Sequence, residues 1–180
     1  MYTITVDDKD LYIPDSEDYQ VSSATISINT DSVAYLDMDI PCTNKGLKEI
    51  KQQASIVRVY DNDVLRYKMF VDNIDYDFDN TAKVSCTSVL AYLKDSLVRP
   101  YSTVDTEEGI TAPSSVNGYF SWLIEQHNKN IRDTKKYFYV GVNQGALMDR
   151  NNYIYRASTE VPTTSDEIKN KILDTYGAYI

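Results

Sequence analysis

One histidine and two cysteines are all that this chain of 180 residues offers among soft metal ligands. A structural zinc site needs four Cys or His ligands at short spacing, and Cys42 and Cys86 belong to no CxxC or comparable set. A disulfide between them is disfavoured if the chain assembles in a reducing cytosol. Cys86 follows Ala82 and Val84 in an alternating run, which is the place of a small buried hydrophobe. Long apolar runs are also lacking: none approaches the about 20 residues of a membrane helix. The start, MYTITVDDKD, has neither a basic region nor an apolar core, so it does not read as a signal peptide. Synthesis in a cytosol is therefore expected, unless the chain leaves it by a route the sequence does not show. Basic residues are few, 18 Lys and Arg against 27 Asp and Glu, for a net charge of -9. Nucleic-acid binding draws its affinity from cationic side chains, so specific binding to DNA or RNA is not expected. The sequence also lacks GxSxG, GxxxxGK[ST] and GxGxxG.

What the chain does have is apolar content of 42%, enough for a real core, and 16 tyrosines against a single tryptophan. Tyrosine joins a large apolar ring to a polar tip, which suits both strands and wet interfaces.

Residues 1–87 read as strands. Tyr2–Val6 alternates, and Leu11–Ile13 is stopped by Pro14. Ala24, Ile26 and Ile28 share one face. Ala34, Leu36, Met38 and Ile40 do the same, with Asp37 and Asp39 opposite. Gly46–Ser55 reads as a short helical turn. Ile56–Tyr60, the long stretch Val64–Phe78 and Thr81–Thr87 complete about six or seven strands joined by tight turns. That predicts an antiparallel β-barrel or sandwich.

The period then changes. Val89, Leu90, Leu93 and Leu97 predict a helix from Ser88 that closes a first domain at residues 1–98. The stretch at 99–113 reads as a linker. Residues 114–180 read as a smaller α+β domain. Its first helix, capped by Ser114 or Ser115, carries Val116, Tyr119, Phe120, Leu123, Ile124, His127 and Ile131 on one stripe. Strands are expected at Tyr137–Val142 and Tyr153–Arg156. A second helix should open on a capping box, Thr164 with Glu167, and end at Gly177. Ala178-Tyr179-Ile180 reads as the start of another strand, so the chain is expected to be part of a longer protein. The fold class expected is α+β throughout.

Candidate chemistry is sparse. His127 lies on an amphipathic stripe with no nucleophile motif beside it and reads as a packing residue. Asp75, Asp77 and Asp79 stand at positions one, three and five of a calcium loop, but Asn80 and Cys86 occupy positions six and twelve, where Gly and Glu are required. One strand with a solvated acidic face and an apolar face explains this stretch better. No carboxylate pair stands out for glycoside hydrolysis. The residues thus point to no catalytic, cofactor or metal site.

Eight stretches, in order along the chain, resemble one known group of proteins. They are ITVDDKDLYIP (4–14), DSVAYLDMDIP (31–41), IVRVYDND (56–63) and CTSVLAYLKDSLVRPY (86–101), then YFSWLIEQHN (119–128), KKYFYVGV (135–142), NYIYRAS (152–158) and TTSDEIKNKILDTYGAYI (163–180). Together they resemble the N-terminal region of phage minor structural proteins, the tail-tip hub proteins of siphophages, related to the baseplate hub of contractile tails. The chain departs from that pattern at Gly177-Ala178, where the family often has Gly-Gly, and at RYKMFVDN, where it often has a glycine. The resemblance implies a non-enzymatic virion component made in the bacterial host cytoplasm. It implies a tail-tube-like barrel, a homotrimeric ring, and the distal tail protein and tape-measure protein as neighbours. Two other classes compete: a carbohydrate-binding adhesin module, favoured by the tyrosines, and a cell-wall-degrading enzyme, disfavoured by the lone histidine.

Overall fold

The computed structural model describes residues 1–28, 33–104, 109–141 and 156–176. The chain is α+β and divides into two compact units, Met1–Leu90 and Ala91–Ile180.

The first unit is a single antiparallel sheet. Its strands are β1 (Tyr2–Val6), β2 (Lys9–Tyr12), β3 (Ser23–Ile28), β4 (Ala34–Pro41), β5 (Ile56–Asp61), β6 (Val64–Tyr76) and β7 (Thr81–Ser88). They lie in the order β2-β1-β5-β6-β7-β4-β3, curled into a half-barrel. Two of the hairpins use two-residue turns with positive φ at both positions: Asp7 and Asp8 between β1 and β2, Asn62 and Asp63 between β5 and β6. Asp and Asn tolerate this left-handed backbone because their short polar side chains bond locally, and the resulting turn matches the twist of the strands. The curl has a local cause in β6. Its pairing with β7 shifts register between Val71 and Asn73, leaving Asp72 as an extra residue that bends the strand.

Period-two patterning sets the core. In β4, Ala34, Leu36, Met38 and Ile40 point inward and are buried, while Tyr35 and Asp37 are exposed. Ile4, Val6, Leu11, Val57, Val59, Met69, Val71, Val84 and Cys86 complete the cluster. Each fully buried aliphatic side chain of this kind contributes about 1.5–3 kcal/mol. The outer side of β2 is taken up by a turn. The buried Asn44 amide donates to Leu11 O at 2.9 Å and Gln20 O at 2.6 Å, and accepts from Gly46 N at 2.7 Å. Gly46 is required there, since a Cβ would sit 2.4 Å from Asp10 O.

The second unit holds α1 (Val116–Asn130) and a small sheet in the order β10-β8-β9, from β8 (Tyr101–Ser102), β9 (Ile110–Thr111) and β10 (Ala157–Ser158). Ser115 caps α1 by accepting from Gly118 N at 3.2 Å, and Val116, Tyr119, Leu123, Ile124 and His127 form its buried stripe. Phe120, expected on the buried stripe, is only half-buried. A second helical segment runs as α2 (Thr164–Ile168), a π-helical turn (Lys169–Leu173) and α3 (Asp174–Tyr176).

Four expectations are revised here. The helix expected from Ser88 to residue 98 is a short 3-10 segment, Val89–Lys94. Val98 N donates to Pro162 O, and Leu97 bridges Thr163, so the chain is drawn into extended pairing before a second turn can form. The 99–113 stretch is not a plain linker, because β8 and β9 lie in it and its Tyr101 and Ala112 are buried. Backbone pairing needs few large apolar residues, which is why composition misleads there. Residues 137–140 form no strand. The Asn128 side chain takes the place of a strand partner: Phe138 N donates to its Oδ1 at 3.0 Å and its Nδ2 donates to Phe138 O at 2.7 Å. The cap of α2 is Thr163, which accepts from Asp166 N, not Thr164. The strand expected at Tyr153–Arg156 falls outside the described residues except for Arg156, as do Gly177 and the strand start expected at Ala178–Ile180.

Candidate functional site

In the second unit the lone histidine forms a hydrogen-bonded chain. Ser96 Oγ lies 2.6 Å from His127 Nδ1 and 2.7 Å from Thr164 Oγ1, and His127 Nε2 lies 3.0 Å from Lys136 O. A carbonyl only accepts, so Nε2 carries the proton and Nδ1 is the acceptor. Ser96 therefore donates to His127 and accepts from Thr164. Burial lowers the histidine's affinity for a second proton. The ring also meets the edge of Phe138 at 5.3 Å. A serine beside a histidine is the pairing of a nucleophile with its base, yet Ser96 is 2% and His127 0% exposed. Among the described residues no carboxylate bonds to the ring; a backbone carbonyl orients it. This arrangement ties together α1, the start of α2, the Ser96 segment and the Lys136 turn, in line with the packing role read for His127.

A second buried cluster was not legible in the sequence. Glu167, read there as a capping residue, is 3% exposed and accepts from the hydroxyls of Tyr101 and Tyr119, which also contact each other. Burial raises the pKa of both phenols, so they remain neutral donors. Trp122 packs against the two rings with centroids at 5.2 and 5.9 Å. Arg156 is buried beside them. It donates to Ser114 O at 2.7 Å and to the Tyr176 hydroxyl at 2.6 Å, and lies over the Tyr119 ring. No local pattern announces this cluster, because the partners come from distant segments.

In the first unit the two cysteines are free, Cys42 exposed and Cys86 buried. Burial pushes the Cys86 thiol up to about 12. The aspartates 75, 77 and 79 do not share one strand face, because β6 ends at Tyr76 and the chain turns there. Phe78 is accordingly not part of an apolar strand face but fully exposed. Among the described residues no group of three His, Cys, Asp or Glu side chains could hold a metal, and no helix is long and apolar enough to cross a membrane.

One open feature of this unit is the seam of the half-barrel. β3 is a terminal strand of the sheet, and five of its six residues are exposed. Its sequence, SATISI, has no charge and no proline, the usual protections of a free edge. Beside it runs a groove of about 400 Å³ between the β1–β2 side and the β3–β4 side, lined by Tyr2, Ile4, Tyr12, Val21, Ala24 and Ile26, with Ser22 and Ser23 among the residues around them. No charged side chain lines it. Chemically it can take an apolar group and offer hydroxyl donors around it. No protein-family model matches the chain, and no curated protein matches it.

Proposed function

We propose that the chain is a structural module of a phage tail tip or baseplate hub, acting as part of an oligomeric ring, with no enzymatic role of its own. The observation that carries this reading is the half-barrel with an uncharged free edge beside an apolar groove. An unprotected edge of this kind is a template for association with another chain. The residue stretches that resemble hub proteins give the direction: a homotrimeric ring that closes the tail tube, meets the distal tail and tape-measure proteins, and anchors host-interaction parts in the virion. The burial of Ser96 and His127, and the backbone carbonyl that orients the ring, favour structure over catalysis.

Light scattering and negative-stain electron microscopy of this chain test the reading. A ring, expected to be a trimer, supports it; a monomer overturns it. Glycan-array binding would favour the adhesin alternative, and release of soluble peptidoglycan fragments would favour the cell-wall enzyme.

A further inference from the structure

We draw no further inference here: the strongest candidate, the apolar groove at the seam of the half-barrel beside the exposed β3 edge, is an unpartnered surface, and nothing in the structure shows what covers it.

Discussion

Ser96 Oγ donates to His127 Nδ1 over 2.6 Å while the opposite ring nitrogen donates to Lys136 O. The imidazole is thus held in one tautomer. Desolvation is the main cost of a second proton; the hydrogen bond to Lys136 O and the nearby Asp95 carboxylate oppose it, and the Lys136 ammonium reinforces it.

A pH dependence follows from that relationship. The folded pKa of His127 lies below its value in the unfolded chain, about 6.5. Below that pH the unfolded state binds more protons than the folded one, so stability falls as pH falls. The contribution is whole above the unfolded pKa and is lost as pH drops from there toward the folded value. His127→Gln, which keeps a polar side chain without titrating, should flatten this part of the profile. Urea titrations at pH 5 and pH 8 on both proteins measure it; an equal pH slope in the variant would show that another group is responsible.

Glu167→Ala should destabilise the second unit by about 1–3 kcal/mol per buried hydroxyl left without its acceptor. It also leaves Arg156 buried with less nearby negative charge. Trp122, the chain's single tryptophan, packs on Tyr101 and Tyr119, so its fluorescence follows this unit. Glu167→Gln keeps an acceptor oxygen and should cost less. Equal midpoints for Glu167→Ala and wild type would mean that the cluster contributes nothing to stability.

Leu123 is fully buried on α1, and Leu123→Ala should cost roughly 2–5 kcal/mol. A loss of under about 0.5 kcal/mol in the same Trp122-detected titration would contradict its enclosure, since surface substitutions stay within that range.

These side chains differ in how far the sequence announces them. The inward face of β4 and the Ser115 cap are legible because their causes are local: alternation, and a hydroxyl within three residues of the amide it caps. The division into a β-rich first part and a second part with helices rests on the same periodicities. Glu167 was misread because a Thr-Ser-Asp-Glu string satisfies the capping pattern while the carboxylate is claimed by tyrosines 48 and 66 residues away. Ser96 escaped notice for the same reason: its partners are 31 and 68 residues distant. The strand expected from Tyr137 failed because Asn128, a side chain, supplied the hydrogen bonds that a neighbouring strand would have made. The seam and its groove depend on how far the sheet curls, a property of the whole strand order.

The two thiols should react at very different rates. Cys42 is exposed, whereas Cys86 is buried with its thiol held up to about 12. A thiol reagent at pH 8 should therefore modify one cysteine promptly and the second only as the first unit opens. Two fast thiols in the native protein would place Cys86 outside the core.

That slow thiol also reads the last prediction, which concerns Asn44. Its side chain makes three hydrogen bonds, to Leu11 O, Gln20 O and Gly46 N, and so joins β2 to the connection that continues into Val21 and Ser22 of the groove. Asn44→Ala leaves two carbonyls and an amide without this partner, and about 1–3 kcal/mol is expected for each group that stays buried and unsatisfied. The lost stability belongs to the first unit, so modification of Cys86 should accelerate. Asn44→Asp keeps an acceptor for Gly46 N but cannot donate to Leu11 O or Gln20 O, and should be nearly as damaging. If Cys86 reacts no faster in Asn44→Ala than in wild type, the turn does not hold this side of the half-barrel.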